Sequence, residues 1–92
     1  MIVNVKNKKI TSDSVVPAKY SSWLDFWEKK KNEKAINCKV QYCTGEAEVG
    51  GHVYIVGESS KVYIMPLCYS CNNKKDDAIF TTSKSNLVPV TD

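Results

Sequence analysis

The sequence predicts a small α+β domain built around a metal ion, and three observations carry this prediction. Four cysteines form two close pairs, C-x4-C at Cys38 and Cys43 and C-x2-C at Cys68 and Cys71. The insert between the pairs contains two β-rich runs, and an aromatic amphipathic segment precedes the first pair. We therefore expect an N-terminal strand, an aromatic helix, a cysteine knuckle, a β-hairpin and a short helix that carries the last two cysteines.

The length and composition indicate one domain, residues 1–92, with a core that a bound metal would help to stabilise. A chain of 92 residues buries a marginal core, and a structural metal is a common remedy. The formal net charge is +3, and every basic residue is a lysine. Lysine neutralises phosphate but lacks the planar fork that reads a guanine edge. This composition permits non-specific nucleic-acid binding and excludes arginine-based sequence readout.

The first residues lead us to expect no targeting signal. Met1 to Val3 is followed at once by Asn4 and Lys6, so the apolar region of about ten residues found in signal peptides is missing. No apolar run approaches the roughly 20 residues that span a bilayer. We expect a cytoplasmic protein without membrane contact, in which reduced, paired cysteines bind metal. The alternative is an exported protein with two disulfides.

The first two elements are a short strand and a helix. Residues 1–10 alternate apolar residues with lysines, which predicts a strand with a lysine-rich edge that discourages further pairing. Residues 11–17 predict a turn. Ser22 is a helix N-cap with Asp25 three residues later, and we expect the helix to end near residues 32–34.

This helix has an aromatic stripe and a basic end. Trp23, Phe26 and Trp27 follow the i, i+3, i+4 pattern, which favours a core face over a base-stacking platform. The basic end is either a solvated helix terminus or a phosphate-binding group, and its members are Lys29, Lys30, Lys31 and Lys34.

The second half of the chain predicts the knuckle, the hairpin and the last helix. Gly45 lets the knuckle turn so that backbone N–H groups approach the sulfurs. Residues 53–56 and 61–65 are strands joined by a four-residue loop, and Pro66 ends the second strand. Residues 68–75 predict a short helix whose positive end stabilises thiolates. Residues 78–80 and 87–90 predict closing strands.

A sulfur-only donor set indicates which metal is bound. Tetrahedral thiolate sites favour Zn²⁺ over harder cations, so we expect a structural zinc ion held by Cys38, Cys43, Cys68 and Cys71. Iron in a rubredoxin-like site is the alternative, but such sites usually use two knuckles.

The predicted order of knuckle, hairpin and helix is that of the treble clef, with its core at about residues 36–77. Residues 38–75 resemble an HNH-type, His-Me-finger zinc domain. Gly51-His52-Val53 stands where that family has Asp-His-Ile, and residues 67–75 stand where it has Cys-x-x-Cys-His-x-x-Lys.

The resemblance implies catalytic roles for a few residues. His52 would be the general base that activates water against a phosphodiester, and Asn72 or Asn73 would stand near the metal-ligand position of the helix. Two positions depart from the family pattern, because Gly51 replaces the acidic residue expected to hold Mg²⁺ and Asn72 replaces a histidine. A hard cation there would lack charge compensation, so the chain resembles a degenerate member of the family.

These residues also have simpler roles. His52 shares strand parity with Tyr54 and Val56, so it can pack against a helix, and it can also replace a cysteine at the zinc. The two asparagines fit a polar helix end. Gly50-Gly51 favours a bulge or close backbone contact over a phosphate cradle. The missing acid could be supplied by Glu46 or Glu48.

We therefore rank a zinc module that binds DNA or RNA non-specifically first. A protein-interaction or structural zinc module comes second, and an active HNH-type nuclease comes last. The phosphate contacts would come from three lysine groups: Lys6, Lys8 and Lys9; Lys29, Lys30, Lys31 and Lys34; and Lys74 with Lys75. The last group follows the helix that lies against the duplex in HNH-like domains.

Overall fold

A computed structural model describes residues 1–8, 15–58, 61–75 and 77–90. The predictions for residues 9–14, Lys9 among them, and for Ser59 and Ser60 of the hairpin loop lie outside these ranges. Within them the chain forms a five-stranded antiparallel sheet and two α-helices. The elements are β1 (Ile2–Asn7), α1 (Trp23–Lys31), β2 (Val49–Ile55), β3 (Tyr63–Leu67), α2 (Tyr69–Asn72), β4 (Ile79–Ser83), a 3-10 turn (Lys84–Asn86) and β5 (Val88–Pro89).

The strand order is β4-β1-β2-β3-β5, which corrects the prediction for the first strand. We expected β1 to present a lysine-rich edge, but it lies inside the sheet between β4 and β2. Val5 pairs with Ile55 on one side and with Phe80 on the other. The lysines do not prevent this pairing, because strand side chains project from the faces of a sheet and leave its hydrogen-bonding edges open. The predicted closing strands are confirmed as β4 and β5.

The sheet separates two buried clusters, one on each face. The cysteine face carries all four cysteines packed with apolar residues such as Val5, Val53, Met65 and Leu67. The helix face carries Ile64 and Val88, which pack against α1. The domain is therefore three layers, with α1 on one side of the sheet and the cysteines on the other.

The N-terminus of α1 is capped as the sequence predicts. The Ser22 hydroxyl accepts a hydrogen bond from the Asp25 N–H at 3.0 Å, and the Asp25 carboxylate accepts one from the Ser21 N–H. The helix ends at Lys31 because Asn32 adopts a left-handed conformation, with φ 54°. Neither described helix has the length and apolar character that crossing a bilayer would require.

The aromatic stripe of α1 is a core face, as predicted. Phe26 and Trp27 are fully buried against the helix face of the sheet. The Trp27 indole N–H donates to the Asn86 carbonyl at 2.8 Å, which satisfies the one polar atom of this side chain. The predicted close contact at Gly50 is also present, because a Cβ there would lie 2.5 Å from the Trp23 carbonyl carbon. Glycine thus lets the first turn of α1 lie directly on β2.

The hairpin is longer than predicted, and Pro66 does not end its second strand. β2 begins at Val49, and β3 continues through Pro66, which pairs with Gly50, to Leu67. The Pro66 carbonyl points away from β2 and accepts the Lys39 N–H at 3.0 Å. The N–H that proline lacks would lie on that same side, so its absence removes no hydrogen bond from the β2–β3 ladder.

Candidate metal centre

The fold brings the four predicted cysteines together at one point. Their sulfur atoms all lie within 4.8 Å of one another. The Sγ atom of Cys43 is 3.9 Å from that of Cys68 and 3.8 Å from that of Cys71. Cys43 is half-buried, while the other three are buried, and all four are free thiols.

The spacing of the sulfurs fits a tetrahedral metal ion. Zinc–sulfur bonds of about 2.3 Å in a tetrahedron place neighbouring sulfurs about 3.8 Å apart. The two sulfur–sulfur distances given above match this value, and both are far longer than the roughly 2.05 Å of a disulfide bond. Four thiols arranged in this way can hold a metal ion.

The knuckle is shaped by its own backbone. The Cys43 N–H donates to the Val40 carbonyl at 3.0 Å, and the Cys38 N–H donates to the Gly45 carbonyl at 2.9 Å. Tyr42 adopts a left-handed conformation, with φ 68°, to complete the turn. The Gly45 N–H approaches the Cys43 sulfur at 3.4 Å, as predicted.

Hydrogen bonds that were not predicted from the sequence hold the knuckle to β3 and to β4. Thr82 of β4 donates its hydroxyl to the Lys39 carbonyl at 2.6 Å. The Gln41 N–H donates to the Thr81 carbonyl, and the Thr81 hydroxyl donates to the Gln41 side chain at 2.7 Å. Together with the Lys39–Pro66 bond, these contacts make the interior of C-x4-C a bridge between β3 and β4. The cysteine spacing contains no signal for these partners.

The second cysteine pair sits at the start of α2, which confirms the predicted short helix. Cys68 is the N-cap, and its sulfur accepts the Cys71 N–H at 3.4 Å. Glu48 accepts the Tyr69 N–H at 3.1 Å, so this acid, considered above as a ligand for a catalytic metal, instead caps α2. The helix is shorter than residues 68–75 and ends at Asn72.

The local electrostatics differ between the thiols. The hydrogen bond from the Cys71 backbone N–H lowers the pKa of the Cys68 thiol. Burial raises the pKa of the Cys38 and Cys71 thiols. A thiolate at these buried positions needs a neighbouring positive charge. A coordinated cation supplies this charge, and it thereby favours loss of the proton from each thiol that it binds.

A buried asparagine from β1, which the sequence analysis did not single out, holds the other end of α2. The Asn7 side-chain N–H group donates to the Cys71 carbonyl at 3.0 Å and approaches the Lys74 carbonyl at 3.3 Å and the Asn72 carbonyl at 3.5 Å. Strand alternation could have identified it from the sequence, because Asn7 lies on the same face of β1 as Val3 and Val5.

The predicted catalytic residues lie on opposite faces of the sheet. The His52 ring is buried on the helix face, 4.8 Å from the Trp23 ring in an edge-to-face contact, and burial lowers its pKa. The preceding Gly51 faces α2, because a Cβ there would lie 2.9 Å from the Asn72 Oδ1 atom. Asn73 is the exposed C-cap of α2. His52 therefore lies on the opposite side of the sheet from both the asparagines and the cysteines.

The predicted phosphate-binding lysines divide into two groups. In and just after α1, Lys29 pairs with Asp25 at 2.7 Å, Lys31 donates to the Ser85 carbonyl at 2.6 Å, Lys34 lies 4.0 Å from Glu28, and Lys30 lies over the Phe26 ring. Lys74 and Lys75 are exposed just beyond α2, and Lys8 is exposed directly after β1.

Comparison with known proteins found no matching family model, curated protein or solved structure.

Proposed function

We propose that this chain is a structural zinc module of the treble-clef type. The observation that carries the proposal is the group of four sulfurs within 4.8 Å, supplied by the knuckle and by α2. An all-thiolate donor set favours zinc. Four protein ligands complete the tetrahedral coordination of a zinc ion and leave no open position for a substrate. This arrangement is typical of structural sites, whereas catalytic sites keep one position open.

The order of elements around the sulfurs supports the treble-clef assignment and the likeness to HNH-type domains. The knuckle is closed at its base by the pairing of Asn37 with Glu46. It is followed by the β2–β3 hairpin and then by α2, which provides the second pair of ligands. In this arrangement the metal joins the knuckle to α2, a helix of one turn, so the free energy of metal binding contributes to folding.

Metal analysis combined with chelation tests this proposal. The purified chain is expected to bind one zinc per molecule and to lose its circular dichroism signal when a strong chelator removes the metal. Free energies of structural zinc binding are on the order of 10 kcal/mol. Cys43→Ser should abolish tight binding, while Ser70→Ala, an exposed change beside Cys71, should not. A chain that binds no zinc, or that keeps its structure without it, would refute the proposal.

A second candidate function is weak contact with nucleic-acid phosphates. It is supported by the exposure of Lys74 and Lys75 just beyond α2 and by the likeness to HNH-type domains, in which this helix lies against the duplex. Asp76 and Asp77 follow these lysines in the sequence, so the local charge is balanced. We therefore expect low affinity and slight sequence preference.

Fluorescence anisotropy on labelled DNA and RNA, over a series of salt concentrations, tests this second candidate. Two lysine–phosphate contacts predict that log K falls with log[salt] with a slope of about −1.8. Lys74→Glu with Lys75→Glu should weaken binding, whereas Lys29→Glu with Lys34→Glu, the same charge change in and just after α1, should affect it much less. No binding at low salt would instead favour a protein partner, for which the exposed Tyr42 and Tyr69 beside the cysteines are available.

We do not propose nuclease activity. A general base and a hydrolytic metal must act on the same phosphodiester, and His52 lies on the other face of the sheet from α2. Plasmid incubated with Mg²⁺ should remain intact with both the wild type and His52→Ala. Cleavage that depends on His52 would contradict this assignment.

A further inference from the structure

We infer that Asn7 is a positioning residue for the metal centre, which holds Cys71 in place by fastening the C-terminal end of α2 to β1. This inference rests on the proposed function, because it concerns how the chain presents its fourth ligand. Asn7 lies 64 positions before Cys71 in the sequence and is only 6% exposed.

The short helix needs an external support at each end. α2 has four residues, and one helical turn is not stable in isolation because nucleation is unfavourable. Glu48 accepts its first N–H, that of Tyr69. At the other end the Asn7 amide faces the carbonyls of Cys71, Asn72 and Lys74. The Cys71 carbonyl also accepts the Lys74 N–H at 3.3 Å, so the amide is a second donor to it, one that comes from outside the helix and ties this end of α2 to β1.

The orientation of the Asn7 amide is defined by this contact. Its Oδ1 atom is buried without a hydrogen-bond partner, which is an unfavourable state for an acceptor. Rotating the amide by 180° would place that oxygen against three carbonyl oxygens, which is worse. The side chain thus acts as a donor toward α2, and an aspartate of the same shape could not replace it.

Cys71 depends on this support more than the other ligands do. Cys38 and Cys43 are held by the knuckle and its bonds to β3 and β4, and Cys68 follows directly from β3. Cys71 lies one helical turn further along, within α2, and its own carbonyl is the nearest acceptor of Asn7. Partners that orient a ligand from outside the coordination sphere typically change metal affinity by about 10–100-fold.

The test measures zinc affinity in the full chain by competition with a chromophoric chelator, and the absorption spectrum of the Co²⁺-loaded form. Asn7→Asp is expected to weaken zinc binding about 10–100-fold and to alter the Co²⁺ bands. Asn7→Ser, which keeps a shorter donor, should fall between Asp and the wild type. The control is Trp27→Phe, which removes a side-chain hydrogen bond to a carbonyl on the helix face. It should lower stability, and zinc affinity only through that loss of stability, without changing the spectrum.

The outcomes separate this inference from the proposed function. If the wild type binds no zinc, the proposed function fails and the inference fails with it. If the wild type binds zinc and both Asn7 variants keep its affinity and spectrum, only the inference is overturned, whatever their thermal stability. If Asn7→Asp does not fold, the milder Asn7→Ser decides: a loosened site with a changed spectrum supports the positioning role, and an unchanged one refutes it.

Discussion

The close contact between β2 and α1 makes Gly50→Ala a demanding test of the fold. An added Cβ would lie 2.5 Å from the carbonyl carbon of Trp23 and 2.6 Å from the amide nitrogen of Leu24. Both are backbone atoms of the first turn of α1, so no change of side-chain rotamer can relieve the overlap. The helix itself must move away from the sheet.

The size of the effect follows from this geometry. To increase the 2.5 Å separation to the 3.4 Å at which ordinary contact begins, the start of α1 must move by about 0.9 Å. That movement loosens the packing of the fully buried Phe26 and Trp27. Overpacking of this kind costs about 1–3 kcal/mol, and we expect the upper half of that range. For a domain of this size, about 2 kcal/mol corresponds to a fall in Tm of roughly 8–16 °C.

Urea unfolding followed by tryptophan fluorescence measures this change, because both tryptophans lie on α1. The spectrum of the Co²⁺-loaded form, measured on the same samples, should stay that of the wild type since the metal centre is on the other face of the sheet. Adding Trp23→Ala should not rescue Gly50→Ala, because the overlap is with the Trp23 backbone. A neutral Gly50→Ala variant, or its rescue by Trp23→Ala, would show that α1 does not lie against Gly50 in this way.

Three further predictions concern single residues. Burial lowers the pKa of His52 below its ordinary value of about 6.5. As the pH falls from about 6.5 toward that lowered pKa, the unfolded chain takes up a proton that the folded chain refuses. The free energy of unfolding should therefore decrease over this window in the wild type and less so in His52→Gln, as measured by urea titration. Trp27→Ala should cost about 3–5 kcal/mol, and near-neutral stability would mean that this indole is not in the core. Tyr42→Gly should raise the free energy of unfolding by up to about 1 kcal/mol, and Tm with it, because Tyr42 is 93% exposed and its φ of 68° is a conformation that glycine adopts without strain. A clear loss of stability would show that the tyrosine ring has a packing role.

The features that were predicted from sequence are those set by nearby residues. Each cysteine pair is separated by only a few positions, so its chain can deliver two sulfurs to one side of an ion whatever the rest of the fold does. The start of α1 follows from Ser22 and Asp25, which contact each other within one turn. The alternation of β1 and the contact at Gly50 were likewise visible as local patterns.

The features that were missed depend on partners far along the chain. Parity placed His52, Tyr54 and Val56 on one face of a strand, but it could not say that α1 and not α2 covers that face. The interior position of β1 depends on β4, which follows it by more than seventy residues.

The sequence by itself therefore determined that this protein carries a four-cysteine site capable of holding a metal ion, because ligand type and spacing are local properties. The tertiary structure alone decided what surrounds the site: Asn7 and Thr82 beside it, and His52 on the opposite side of the sheet. These placements arise from strand order and face, which are fixed by long-range pairing and by the burial of both faces, and no short segment of the chain encodes them.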